Sequence, residues 1–294
     1  MFNDSNKKQI EGRRRFDFYL HLLFVAATSL AVLVLLVLII DIVIQGAHML
    51  KPHFFTNFPS RNPHEAGLLS AIVGTAYFVL IMAPLSFILG VGAAIYLEEY
   101  ARKNKLRSFI QLNISTLAGI PSIVYGILGL ALFVRGLGIE QLALGRSVLA
   151  GALTMTLLVL PIIIVAAQEA IRAVPGTLRN ASFALGATKW QTVQRTVLPS
   201  AIPGILTGII LALSRAIGET APLVMIGALT FVNFLPNDVF DQFTVIPIQI
   251  FNWVSRPQQA FHDLAAAGII VLLTLLILMN ISAVLLRNKY QRKG

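Results

Sequence analysis

An arginine and a glutamate lie four residues apart within a long apolar stretch, whose residues 214–222 are SRAIGETAP. On a continuous helix, Arg215 and Glu219 project from the same face, one turn apart. Counted along a helix from Pro199, Arg215 lies beyond the bilayer centre. A charge there costs about 2.5 kcal/mol or more unless it is paired or faces a polar cavity. The spacing therefore predicts either an ion pair that stabilises a bundle or a pathway in which Arg215 meets an anion.

The pathway is the alternative that the side-chain chemistry favours. Arginine stays protonated and offers a planar fork of donors that suits an oxyanion, while Glu219 holds the guanidinium in place. Ion pairs within a membrane are rare outside such pathways. We therefore expect Arg215, Glu219 and the adjacent hydroxyl residues Ser214 and Thr220 to line a substrate pathway.

The segment 168–199, called the docking segment here, carries a second functional signal. It joins two apolar stretches and is longer than a helical hairpin needs. Residues 168–174 continue the preceding helix, and Pro175-Gly176 breaks it. Residues 177–185 form a short helix that ends at Gly186, which can adopt the left-handed stop.

A second short helix of the docking segment begins at Thr188, and Gln191 three residues later predicts a capping box. This helix is expected to end at Leu198-Pro199, where the membrane begins. Its apolar face consists of Trp190, Val193 and Val197. Exposed apolar patches on such a compact pair of helices favour a protein partner, and a helix pair resting on the membrane surface is the alternative.

Six apolar stretches are long enough to cross a membrane as helices. They cover residues 18–44, 69–97, 110–134, 148–167, 201–229 and 264–286. Apolar runs of this length cannot be the alternating strands of a barrel, and the first is too long for the core of a cleavable signal peptide. With 56% hydrophobic and 12% charged residues in 294, the chain is predicted to be an all-α polytopic membrane protein. Gly218 and Pro222 predict a bend in the fifth stretch.

The basic residues predict which side of the membrane each connection occupies. Most of the 23 Lys and Arg residues lie in the N-terminal tail, the second-to-third and fourth-to-fifth connections, and the C-terminal tail. These segments share one side when six helices are crossed in turn, so the positive-inside rule predicts that both termini are cytoplasmic. Glu98 and Glu99 are expected to border a solvated loop with Arg102 and Lys103.

Several kinds of chemistry are excluded by the sequence. The chain has no cysteine, and its five histidines show no metal-ligand spacing, so no metal site is predicted. No base–nucleophile constellation at a membrane face indicates an enzyme. The sequence has no GxxxxGKS or GxxxxGKT loop, so ATP and magnesium are expected on a partner. No basic stripe interleaved with aromatic residues indicates nucleic-acid binding.

The docking segment resembles the EAA loop of ABC-importer permeases. The family pattern is E-A-A-x-x-x-G, followed after nine residues by I-x-L-P, and Asn180 stands in place of its glutamate. The resemblance implies coupling helices that sit in a cleft of an ATP-binding subunit. The coupling residues it implies are Ala181, Ser182, Gly186, Ala187, Thr188, Trp190, Leu198 and Pro199.

Other strings are similar to those of phosphate-importer permeases of the PstA type. They are SRAIGETAPL of the fifth stretch, LAGIPSIVYG at 117–126 and GATKWQT at 186–192. The resemblance covers roughly residues 66–290 and implies a type I ABC importer permease fold. It implies inorganic phosphate as substrate, with another oxyanion (sulfate, molybdate or tungstate) as the alternative. A more distant alternative for the function is an ion-coupled secondary transporter.

The same resemblance implies a bacterial inner-membrane subunit with no cofactor of its own. Its implied partners are a second permease subunit, two ATP-binding subunits and an extracytoplasmic phosphate-binding protein, besides membrane lipid. We expect residues 1–68 to be a basic tail, first helix and outer loop, 69–286 a permease domain, and 287–294 a cytoplasmic tail. The outer loops 45–68 and 230–263 are either a face for an external partner or connectors.

Overall fold

The computed structural model describes residues 4–228 and 231–291, which are almost entirely helical or tightly turned. The helices are α1 (Asp4–Gly46), α2 (Pro52–Thr56), α3 (Leu69–Ile95), α4 (Lys105–Leu117), α5 (Ser122–Gly129), α6 (Val148–Arg172), α7 (Gly176–Ala184), α8 (Lys189–Thr192), α9 (Leu198–Gly218), α10 (Ala221–Met225), α11 (Ile246–Val254) and α12 (Gln259–Gln291). Single π turns follow α3, α5 and α8. The predicted all-α class is confirmed.

Within the described residues, five helical stretches are long and apolar enough to cross a membrane. They are Phe16–Met49, Leu69–Tyr100, Val148–Arg172, Lys189–Gly218 and Gln259–Lys289. The bent pair formed by α4 and α5 brings the number to six if it is counted as one broken span. Of the predicted C-terminal tail, residues up to Gln291 continue α12, and residues 292–294 lie outside the described residues.

The third predicted span, 110–134, is not one straight helix. Helices α4 and α5 meet at 104° across residues 118–121. Pro121 has ψ 135°, outside the helical region, and a proline also disfavours helical geometry in the residue before it. The Tyr125 hydroxyl donates to the carbonyl of Leu117 at 2.9 Å, which satisfies one of the free carbonyls at the end of α4.

The fifth predicted span, 201–229, begins earlier than expected. Helical structure runs from Lys189 through the π turn Val193–Val197 into α9, so the expectation that Leu198-Pro199 ends the preceding helix was wrong. Pro199 has no N–H to donate to the carbonyl of Arg195. The wider π turn carries the helix past this gap.

The same span also ends sooner than expected. Helix α9 stops at Gly218, and the next residue, Glu219, is extended with φ −78° and ψ 127°. The chain then enters the short helix α10, with Pro222 in its first turn, where a missing N–H is tolerated. The predicted bend is therefore a complete break. Residues 229–230, at the end of the predicted span, lie outside the described residues.

Helix α6 lies at the centre of the bundle, packed between α3 and α9. Its contact with α9 depends on small residues. A Cβ atom at Gly204 or Gly208 would come within 2.8 or 2.4 Å of the methyl groups of Ala170 and Ala166. Such small residues let two helices approach closely in a membrane, where packing rather than water drives association.

The segments between α1 and α3 and between α10 and α12 fold against one another. Phe54, Trp253 and Phe261 are fully buried in a single apolar cluster that also includes the first turns of α3 and α12. The backbone N–H of Ile246 donates to the hydroxyl of Thr75 at 3.0 Å and ties α11 to α3. These outer segments are therefore packed parts of the bundle.

Helix α1 is exposed along almost all of its length from Phe16 onward and packs chiefly against α12. The two helices touch closely at Gly46, where a Cβ atom would lie 2.5 Å from the backbone nitrogen of Ala267. Because its surface from residue 18 to residue 44 is almost wholly apolar, this part of α1 suits contact with lipid rather than with the core.

Candidate functional site

Arg215 lies on a face of α9 that the rest of this chain leaves uncovered, with 56% of its side chain exposed. Its Nε lies 3.4 Å from Oε1 of Glu219, so the predicted ion pair forms. The geometry differs from the prediction, because Glu219 follows the end of α9 and is not one helical turn further along. A single long contact compensates the charge of Arg215 only in part.

A cavity of about 600 Å³ opens beside Arg215 between three helices. Its lining residues are Ser115 and Ala118 from the end of α4, Ile162, Val165 and Ala166 from α6, and Leu211, Ala212 and Arg215 from α9. Apart from Ser115 and Arg215, this lining is apolar. The guanidinium is therefore the principal polar group that a molecule in the cavity would meet.

The two hydroxyl residues expected beside Arg215 occupy different surroundings. Ser214 is buried on another face of α9 and donates to Oδ1 of Asn280 on α12 at 3.2 Å. Thr220 lies in the break between α9 and α10 and is half-buried. The structure thus brings Glu219 to Arg215, whereas Ser214 joins two helices.

The two broken spans meet where the strings LAGIPSIVYG and SRAIGETAPL come together. Helix α5 packs on α10, and a Cβ atom at Gly126 would lie 2.7 Å from the Cα of Pro222 and 2.8 Å from the Cβ of Met225. Only a residue without a side chain permits this approach. The breaks after α4 and after α9 are therefore packed as one unit near Arg215.

The turn between the two short helices of the docking segment has the local structure that its sequence predicts. Helix α7 ends before Gly186, which has φ +79°, the left-handed conformation that glycine adopts without strain. The hydroxyl of Thr188 accepts the N–H of Gln191, and the Gln191 side chain accepts the N–H of Thr188, so the capping box is confirmed. The hydroxyl groups of Ser182 and Thr192 lie 2.9 Å apart and join the two short helices.

The docking segment presents exposed apolar side chains around its left-handed glycine. Leu185 is 89% exposed. The others are Leu178, Phe183 and Trp190. Trp190 was expected to share a face with Val193 and Val197, but those two valines are buried in the bundle. Trp190 precedes the π turn and remains 57% exposed.

The π turn at the end of α3 contacts the docking segment through three consecutive residues. Glu98 pairs with Arg172 at 2.6 Å, and Glu99 pairs with Arg179 at 3.0 Å. The third residue, Tyr100, lies beneath the Lys189 ammonium, 5.0 Å from the ring centroid. The expectation that Glu98 and Glu99 border a solvated loop was wrong, because both carboxylates are largely buried by these partners.

These contacts were missed because their partners are far apart in sequence, and no helical spacing connects them. Arg107 adds a second contact to Glu98 at 3.2 Å. Gln111 and Gln168 exchange hydrogen bonds of 3.0 and 2.8 Å between α4 and α6. The docking segment is therefore attached to α3 and, through Glu98, to α4. Asn180, which stands where the family pattern has glutamate, is exposed.

Comparisons with known proteins agree with this architecture. Residues 86–292 match the family described as binding-protein-dependent transport system inner membrane component. The probable ABC transporter permease protein YqgI of Bacillus subtilis (strain 168) is 34% identical, with 82% of this chain and 85% of that protein covered. The phosphate transport system permease protein PstA 1 of Mycobacterium tuberculosis (strain ATCC 25618 / H37Rv) is 37% identical, with 75% and 70% covered. PstA of Yersinia pestis is 31% identical, with 95% and 92% covered.

Solved structures of importers share the fold at low sequence identity. A chain of a bacterial alginate ABC transporter, in complex with a pentasaccharide-bound periplasmic protein, superposes with a TM-score of 0.67 at 15% identity. The match covers 92% of this chain and 93% of that one. A chain of the MetNI methionine ABC transporter in an inward-facing conformation gives 0.59 at 18% identity, with 75% and 94% covered.

The family match extends over most of the chain and includes the docking segment, the cavity beside Arg215 and both broken spans. Members of this family are transporter components that work with a binding protein and an ATPase, carry no cofactor and are not themselves catalytic. The chain belongs to the family of binding-protein-dependent transport system inner membrane components, as a multi-pass permease of an ABC importer.

Proposed function

We propose that this permease carries inorganic phosphate into the cell and that Arg215 lies on the anion pathway. The observation that carries the proposal is the position of Arg215 at a cavity between α4, α6 and α9, with only one long contact to Glu219. Relatives from Mycobacterium tuberculosis and Yersinia pestis, both phosphate transport system permeases by name, support phosphate among the oxyanions.

The chemistry of Arg215 supports an anion that binds and leaves. The contact to Glu219 uses Nε, and the terminal Nη groups make no hydrogen bond or ion pair with the part of the chain that the structure describes. These groups can donate to two oxygens of a phosphate, while the carboxylate moderates the attraction. Because Glu219 neutralises part of its charge, the Arg215 guanidinium would attract phosphate and still release it.

A second permease subunit is expected to complete the pathway. Leu211, Arg215 and Gly218 lie along the exposed face of α9, where residues 4–228 and 231–291 provide no further wall. A charged group facing lipid is costly, so this face is better explained by a protein neighbour across a polar pathway. We expect the two permeases to form a heterodimer with both termini of this chain in the cytoplasm.

The docking segment is the proposed contact with the ATP-binding subunits. Its exposed apolar residues, with Leu185 next to the turn at Gly186, suit a cleft in a protein partner. Closure of the two ATP-binding subunits would move this segment, and the pairs Glu98–Arg172 and Glu99–Arg179 would pass the movement to α3. Phosphate would then arrive from the extracytoplasmic binding protein.

The test is phosphate uptake by the reconstituted complex with Arg215→Gln. We expect uptake to fall to background while the complex still assembles. The matched control is Arg61→Gln, which removes an exposed arginine from an outer segment and should leave uptake unchanged. Normal phosphate uptake by Arg215→Gln would contradict a pathway role. ATPase stimulation by a sulfate-loaded but not a phosphate-loaded binding protein would contradict the proposal that phosphate is the substrate.

A further inference from the structure

A second cavity, of about 1000 Å³, lies along α4, on the side of the bundle that carries the docking segment. Four cationic residues line it: Lys103, Lys105, Arg107 and Arg172. The remaining lining is mostly polar, with Ser108, Gln111 and Ser115 from one face of α4. We call this cavity the basic vestibule.

The charges of the basic vestibule do not cancel. Glu98 pairs with Arg107 and Arg172, and Glu169 pairs with Arg172. Lys103 and Lys105 form no ion pair within the described parts of the chain. The vestibule therefore retains an excess of positive charge, and its two arginines are held in place by a carboxylate.

The basic vestibule adjoins the cavity beside Arg215. Ser115 lines both cavities, and it is the last of the three polar residues that follow one face of α4 at helical spacing. This face of α4 therefore leads from the lysines at the start of the helix to the guanidinium of Arg215. The exchange of hydrogen bonds between Gln111 and Gln168 fixes α4 against α6 midway along it.

We propose that the basic vestibule binds a phosphate-class oxyanion and forms the exit of the pathway on which Arg215 lies. This inference rests on the proposed function. A concave surface with excess positive charge raises the local concentration of anions about tenfold or more. Lysine binds phosphate as a point charge on a flexible stem, which suits passage and release rather than tight retention.

The absence of cysteine from the sequence permits a direct test. Ser115→Cys places one thiol of this chain at the junction of the two cavities, in a complex whose partner subunits have had their cysteines replaced. The rate of each thiosulfonate reagent is divided by its rate with a small free thiol. This relative rate is expected to be about tenfold higher for a sulfonate-bearing reagent than for a trimethylammonium-bearing one. Lys103→Gln combined with Lys105→Gln should remove most of this preference. Equal relative rates for the two reagents would overturn the proposal.

Asn113→Cys is the matched control, because Asn113 lies on α4 two residues away and lines neither cavity. It should show little preference between the reagents. Ser108→Cys, in the same vestibule, should reproduce the preference if Ser115→Cys does not assemble. If neither Ser115→Cys nor Ser108→Cys reacts preferentially with the sulfonate-bearing reagent, the proposal is also overturned.

The anion is identified by asking which salts protect the Ser115→Cys thiol from modification at constant ionic strength. Inorganic phosphate is expected to slow modification of Ser115→Cys several-fold, while chloride does not. Protection by vesicles of an anionic phospholipid but not by inorganic phosphate would assign the vestibule to lipid headgroups. It would overturn the proposal that the vestibule is the exit of the pathway. Protection by sulfate alone, with the charge preference intact, would support an oxyanion vestibule and contradict phosphate as the substrate.

Discussion

Arg179 in the docking segment donates from both Nε and Nη2 to the same carboxylate oxygen of Glu99, at 3.1 and 3.0 Å. The same guanidinium donates to the carbonyls of Val174 and Ile171, at 2.7 and 2.8 Å. One side chain thus joins α7 to the end of α6 and to the π turn that follows α3. A force applied to the docking segment would reach two membrane-spanning helices through this guanidinium.

Replacing Glu99 with glutamine should uncouple ATP hydrolysis from uptake. The neutral amide leaves Arg179 without its ionic partner in a largely buried position, a loss of about 1–3 kcal/mol. We expect the number of phosphate ions imported per ATP to fall several-fold while hydrolysis continues. Glu169→Gln breaks an exposed pair and should change little. Arg179→Lys keeps a cation that can still donate to Glu99 and should retain part of the coupling, and a complete failure to do so would argue against an ionic link.

The left-handed conformation of Gly186 predicts a graded effect of substitutions there. Asparagine tolerates positive φ, whereas valine is strained by about 1–2 kcal/mol or more. Open space surrounds the position, so strain rather than collision should decide the result within this chain. ATPase stimulation by the loaded binding protein should be retained in Gly186→Asn and lost in Gly186→Val.

Gly176→Ala is the control for that series, because Gly176 lies in the same segment at the start of α7, with open space and no positive φ. It should behave as the parent protein. Equal loss in Gly186→Asn and Gly186→Val would indicate that the ATP-binding subunit touches the glycine itself.

A charge at Leu185 should weaken attachment of the ATP-binding subunits. An apolar side chain that is almost fully exposed in this chain becomes buried if it enters a cleft, and full burial of a leucine contributes about 2 kcal/mol, near thirtyfold in affinity. We expect Leu185→Asp to lose the ATP-binding subunit during co-purification. Gln194→Asp adds the same charge at another exposed site of the segment and should retain it.

Adding a methyl group at Gly126 should force α5 and α10 apart. The collision is with the backbone of Pro222, which cannot move aside as a flexible side chain would. Overpacking of this kind typically costs about 1–3 kcal/mol. Thermal unfolding in detergent should occur at a lower temperature for Gly126→Ala than for the parent. Gly92→Ala, in open space on α3, should unfold as the parent does.

Local features of this protein could be predicted from its sequence because local interactions determine them. The length of the apolar runs identified the membrane spans. The pair Thr188 and Gln191 identified the start of a helix, through two side-chain hydrogen bonds to the backbone. The stop at Gly186 follows equally from the conformational freedom of one residue. The pairing of Arg215 with Glu219 was also predicted, although the break after Gly218 gives it a different geometry.

Features that depend on neighbours from distant parts of the chain were not predicted. The partners of Glu98 and Glu99 follow from how α3, α4 and α6 pack, and no periodicity in the sequence encodes that. The burial of Val193 without Trp190 depends on which face of this helix packs against the bundle. The cavity beside Arg215 is lined in part by Ala118, at the break of the third span, and its lining comes from three helices that are distant in the sequence.

The packing of α1 on α12 has a consequence for biogenesis. Helix α1 is made well before its principal neighbour α12, and their contact joins segments that are far apart in the sequence. Until α12 has been made, α1 lies in the lipid without this neighbour. The approach of Gly46 to Ala267 is therefore a late closing event in assembly, and a truncated nascent chain would leave α1 unattached.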